Sequence, residues 1–135
     1  MPSERDHLAV AEGNQKAIEW LLSSETDFPA WVTTVAFYKA LHLVDALLDR
    51  RFKAHGYSHR ARQQVLKTTN SFRSIYRHYR FLRGASEIAR YLCDNQGGKE
   101  YRTFSDYMPM SQVRSEILGH RLRQLERSVR KMLGD

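Results

Sequence analysis

No proline falls between Pro29 and Pro109, and only seven glycines are spread over the 135 residues. Such a scarcity of breakers favours long helices over many short strands. The longest apolar stretch, WVTTVAFYKALHLVDALL from Trp31 to Leu48, fits that expectation. Thr34, Phe37, Leu41, Val44, Leu48 and Phe52 recur there at three- and four-residue spacing. Trp31, Val35, Tyr38, His42, Asp45 and Asp49 form an adjacent face. A helix apolar on most sides is buried among several neighbours. The chain therefore reads as all-α, an up-and-down bundle of four to five helices in one domain over residues 1–135.

Capping residues divide the chain further. Ser3 with Asp6 opens a first helix that runs to about Ser24. Asp27 as a cap and Pro29 in the first turn start the second, which extends to Lys53 and is stopped by Gly56. Ser58 caps a third helix ending near Thr69. The fourth starts near Ser71 and carries Phe72, Ile75, Tyr76, Tyr79 and Leu82 inward, with Gly84 as a kink or an end. Residues 94–110 read as a tyrosine-rich loop, and Ser111 caps a last helix lined by Ile117, Leu118, Leu122, Leu125, Val129 and Met132.

The net charge of +7 is unevenly placed. Residues 1–49 hold three Lys/Arg against eight Asp/Glu, a balance of −5. Residues 50–90 hold eleven against Glu87 alone, or +10, and residues 91–135 hold eight against six. A middle third this basic raises local phosphate affinity by Coulomb attraction and counterion release. Lys39, His42 and Asp45 interrupt the apolar run, making it a poor membrane span, and MPSERDHLAVAEG has no apolar signal core. Cys93, the single cysteine, excludes an internal disulfide or a multi-cysteine zinc site, fits a reducing cytoplasm, and reads as a packing residue. Neither HExxH nor a glycine-rich phosphate loop is present, so no metal and no cofactor are expected.

Three groups of residues can carry chemistry. His42 and Asp45, at i and i+3 on the central helix, are either a base with its orienting carboxylate or a packing pair completed by an arginine from another helix. Arg50 and His55, with four residues between them, offer a phosphate-holding guanidinium and a proton-moving imidazole. That combination cleaves RNA through its own 2′-hydroxyl without a metal. His59 and Arg62 present the same two groups in reverse order, beside Arg60. Finally, Arg73, Arg77, Arg80 and Arg83 make a basic stripe interleaved with Tyr76, Tyr79 and Phe81, which fits phosphate contacts next to stackable rings. Arg90 could serve as an internal anchor to Asp45 or Asp49.

The string Phe37-Tyr38-Lys39-Ala40-Leu41-His42-Leu43-Val44-Asp45-Ala46-Leu47-Leu48 is followed by His59 and Arg62, then Phe72, Ile75, Tyr79, Leu82, Ser86 and Ala89-Arg90-Tyr91. Over residues 5–93 this resembles the HEPN superfamily (higher eukaryotes and prokaryotes nucleotide-binding), in its compact prokaryotic form. The resemblance implies a helical bundle that forms a homodimer and binds RNA or nucleotide. It further implies either a metal-independent endoribonuclease of a toxin–antitoxin or defence system, or a non-catalytic interaction or regulatory dimer. A nucleotidyltransferase-type antitoxin is the partner expected of such toxins. Arg50 and His55 match the spacing of the family's catalytic arginine and histidine. A catalytic site would require arginine and histidine side chains to converge in an exposed cleft.

Overall fold

A computed structural model describes residues 2–53, 57–94 and 97–134, and among them no strand is formed beyond the isolated bridge Cys93–Glu100. Helix α1 spans Glu4–Leu22, α2 Pro29–Phe52, α3 His59–Thr68 and α4 Arg73–Tyr91, the last led in by a 3-10 turn at Asn70–Phe72. A short α5, Phe104–Tyr107, precedes a C-terminal helix built of Met110–Gln112, a π-helical segment Val113–Leu122, and Arg123–Leu133. The all-α bundle expected from the spacing of apolar residues is what the chain forms.

Named contacts fix the directions. Glu4 meets Asp49 and Gln15 meets Lys39, so α1 and α2 are antiparallel. Phe37 packs on Tyr79 and Phe52 on Phe72, which sets α4 antiparallel to α2. Lys39 binds Glu126 while Arg50 donates to the Leu133 carbonyl, so the C-terminal helix runs parallel to α2. Four long helices therefore alternate in direction, with α3 packed on α4 and reaching α2 through Arg62 and Asp45.

Helix α2 is central because its side chains bury on nearly every side, including Phe37, Leu43, Val44, Leu47 and Leu48. It is long and apolar enough to cross a membrane, yet 72% of its most apolar window is covered by the rest of the bundle. Lys39 is buried with it and shares its ammonium between Gln15 and Glu126, each at 2.8 Å. The cost of burying that charge is met by partners on two other helices.

Several boundaries differ from expectation. Ser3 and Asp6 do form a reciprocal capping box, but the N-cap of α2 is Phe28, with no side-chain cap from Asp27. The helix ends at Phe52, with the C-cap Lys53 already left-handed at φ of 50°, and Gly56 lies outside the described residues. Gly84 does not end α4, since the helix continues to Tyr91. Ser111 lies inside the C-terminal helix, whose cap position is Pro109. Gly84 also faces open space, with nothing within 4 Å of an added Cβ. Gly84→Ala is therefore expected to raise the unfolding free energy by about 0.5–1 kcal/mol, because alanine loses less backbone entropy in a helix. An unchanged or lower urea midpoint would contradict an open position there.

Candidate functional site

The polar groups of α2 and α3 assemble into one cluster. Arg62, 5% exposed, clamps Asp45 through Nε at 2.7 Å and Nη2 at 3.0 Å, and Nη2 also donates to the Tyr57 carbonyl at 3.0 Å. Burial opposes the charge of Arg62, but the Asp45 hydrogen bonds and carboxylate outweigh it and hold the guanidinium above its ordinary pKa. Ser58 caps α3 and so sets where Arg62, one turn in, meets α2. The arginine from another helix that meets Asp45 is thus Arg62, whereas His42, the other member of the anticipated pair, bonds to His7.

Around this clamp lie three rings. His59 approaches Arg62 Nη1 at 3.4 Å and stacks on Phe37 at 6.2 Å between centroids. Its pKa is lowered, first by burial of the ring and then by the charges of Arg62, Arg83 and Arg90. His42 contacts His7 of α1, Nδ1 to Nδ1 at 3.0 Å, so one ring must present a proton and the other a lone pair. Burial, then His7, lowers the His42 pKa. Tyr79 carries a buried hydroxyl that makes no hydrogen bond within ordinary geometry, although it lies close enough to Arg62 to feel its charge. Burial raises this phenol's pKa, against the pull of Arg62.

Arg50 is not part of the cluster. It makes a two-pronged contact with Glu4, Nε at 3.0 Å and Nη2 at 2.6 Å, and reaches the Leu133 carbonyl at 3.0 Å. These contacts tie together the end of α2, the start of α1 and the end of the C-terminal helix. His55 lies outside the described residues, so the Arg50–His55 pair is placed only at its first member. Arg90 does not reach Asp45 or Asp49 as an anchor would. It bonds back to the Ser86 carbonyl and lies over Tyr91 at 5.3 Å.

A second arrangement runs along α4. Arg73, Arg77 and Arg80 line one side of a groove of about 950 Å³, joined by Arg121 from the π segment. Tyr76, Phe81, Tyr101 and Tyr107 supply its aromatic surface. Arg121 lies over the Phe81 ring at 4.2 Å and is held from behind by Glu116 at 2.8 Å. That hydrogen bond is the main reason the Glu116 carboxyl sits below its usual pKa. Arg60 is exposed on α3, away from this groove, beside Ser58 and Gln64. Arg83 turns instead to Gln63, at 2.6 Å, and Glu87.

The stripe Arg73, Arg77, Arg80 was legible as a periodicity. Arg121, Tyr101, Tyr107 and His7 were not assigned a role by sequence reasoning. Hydrogen bonds from i to i+5 in the π segment bring residues five apart onto one side, so Glu116 reaches Arg121 and Ile117 is followed inward by Leu122. Gly119 permits this winding, since a Cβ there would stand 3.1 Å from the Arg114 carbonyl oxygen. Among the described residues no group of three or more His, Cys, Asp or Glu side chains is placed to hold a metal ion. No protein-family model, curated protein or solved structure matches this chain.

Proposed function

We propose that this is a HEPN-like RNA-binding domain whose ligand lies in the α4 groove. The observation that carries the reading is the lining itself: the α4 guanidiniums of Arg73, Arg77 and Arg80 share one concave surface with Tyr76, Tyr101 and Tyr107, against one lining carboxylate, Asp94, while Arg121 is engaged by Glu116 and covers Phe81. Phosphate contacts supply affinity, and rings accept bases without strict sequence choice. The resemblance adds a homodimer and an antitoxin partner to the proposal, and the single cysteine a cytoplasmic address, none of which the groove needs in order to bind.

Binding to a short single-stranded RNA should weaken steeply with salt. Arg77→Ala and Arg80→Ala are each expected to reduce the slope of log K against log salt by about 0.7, the share of one single-strand phosphate contact. Filter binding across a salt series measures this directly. Slopes identical to wild type in both variants would remove the stripe from the interface.

A second reading, metal-independent endoribonuclease, is favoured by one residue. His59 reaches the surface, and partial burial of its ring, followed by the charges of Arg62, Arg83 and Arg90, lowers its pKa and so favours the neutral imidazole that a general base requires. Arg50 and Arg62 are poorly suited to hold the phosphate, because both guanidiniums are engaged by carboxylates. For this reading, purified protein should cleave RNA in EDTA and His59→Ala should lose at least about 100-fold in rate. Equal cleavage by the variant, or none by wild type across varied RNAs, would leave binding alone.

A further inference from the structure

The α4 groove has two chemically different ends. Near the start of α4 it is lined by Asn70, Ser71 and Ser74 together with Arg73, Arg77 and Arg80. One helical turn beyond Arg80, about 6 Å along the axis, the floor becomes Gly84 and Ala85. Tyr101 and Tyr107 stand among the lining residues contributed from outside α4. With no Cβ on Gly84, the floor is left open where most helical residues would fill it.

These tyrosines are fixed in place. Tyr107 packs edge-on against Phe104 at 5.6 Å and Tyr101 at 5.3 Å, and Phe104 is itself buried in the core. A capping box from Thr103 and Asp106 holds the α5 turn that presents Tyr107, and the backbone N–H of Tyr101 donates to the Leu92 carbonyl at 2.8 Å, tying Tyr101 to the end of α4. Phe81 is already covered by Arg121, so the aromatic surface left for a ligand here is tyrosine. A rigid aromatic wall costs little entropy on binding, which suits it to a flat apolar group.

We infer that this end is a pocket for one unpaired base, so that the ligand class is single-stranded nucleic acid. The phosphate lies on Arg73, Arg77 and Arg80, the sugar crosses the turn between Arg80 and Gly84, and the base rests on Gly84 and Ala85 against Tyr101 and Tyr107. A duplex is disfavoured because its bases must leave their stack to enter. This inference rests on the RNA-binding reading and adds what that reading lacks, a reason to distinguish a base from a bare phosphate chain.

The test compares a labelled oligoadenylate with an abasic ribose-phosphate strand of equal length, by fluorescence anisotropy on the intact chain. Wild type is expected to bind the base-bearing strand at least about fivefold more tightly, from one stacked base. Gly84→Leu should bring that strand down to the abasic level without lowering the melting temperature, leucine being a good helix former. Arg77→Ala should weaken both strands together. Equal binding of the two strands by wild type, or discrimination unchanged in Gly84→Leu, would overturn the pocket while leaving phosphate binding intact. If neither strand binds wild type, the RNA-binding reading falls and the pocket with it.

Discussion

Asp45→Ala is expected to destabilise the protein by about 3–5 kcal/mol, among the largest effects of any single polar substitution here. The substitution strands the Arg62 guanidinium, whose side chain is 6% exposed, with the Tyr57 carbonyl, the His59 ring and the Tyr79 hydroxyl nearby but no counter-ion. A buried charge without its counter-ion costs far more than the intact pair contributes. Removing both charges tests this reasoning. Asp45→Ala combined with Arg62→Met should recover most of the loss, since no charge is then left buried and the methionine fills part of the volume. Chemical denaturation of the two variants and wild type gives the comparison. A double variant as unstable as Asp45→Ala would mean the clamp contributes something other than mutual neutralisation. A catalytic Asp45 would instead show lost activity in the double variant at recovered stability.

Acid should destabilise the fold through His78. Its side chain is 4% exposed, sits edge-on to His120 at 5.4 Å, and leaves Nδ1 buried without a hydrogen bond. Burial, followed by the charges of Arg121, Arg77 and His120 and opposed by Glu116, lowers its pKa to about 4. The unfolded chain takes up this proton near pH 6.5, whereas the folded one resists until about pH 4. The contribution of neutral His78 is therefore complete above pH 6.5 and is lost as pH falls toward 4. Its full size is about 3 kcal/mol. His42 and His59 shift in the same direction, so the comparison must be with His78→Leu, which removes one titration only. The difference in unfolding free energy between wild type and this variant should shrink or reverse between pH 7 and pH 4. A difference constant with pH would show that His78 does not titrate over this range.

The helical architecture was legible because α2 states it twice: a three- and four-residue apolar spacing, and apolar residues on most of its circumference. Asp45 was also legible as a buried group in need of a cation. Which arginine answers it was not, because the choice of Arg62 over Arg90 depends on where α3 is packed, a matter of tertiary structure rather than of sequence spacing. Arg50 illustrates the opposite case. Its spacing to His55 drew attention, yet its nearest carboxylate is Glu4, 46 residues earlier, brought in by the α1–α2 hairpin.

The groove was half legible. Arg73, Arg77 and Arg80 lie on one face by simple helical periodicity, so α4 supplied its own half of the surface. Tyr101 and Tyr107 belong to a stretch with no periodicity to read: the short α5 turn holds Tyr107 because Phe104 finds the core, and Tyr101 is held by its backbone bond to Leu92. Arg121 reaches Phe81 from a π-helical segment, a winding that no local sequence preference announced. Gly84 looked like a place where the helix stops, whereas its missing side chain opens the groove.

The most direct test of RNA binding in the α4 groove is an amide chemical-shift titration of isotope-labelled protein with a short single-stranded RNA. The expected result is a set of saturable shifts centred on Tyr76, Arg80, Gly84 and Tyr101, with α1 unaffected. Shifts centred instead on His59 and Arg60, or none on α4 at saturation, would contradict the groove as the RNA site.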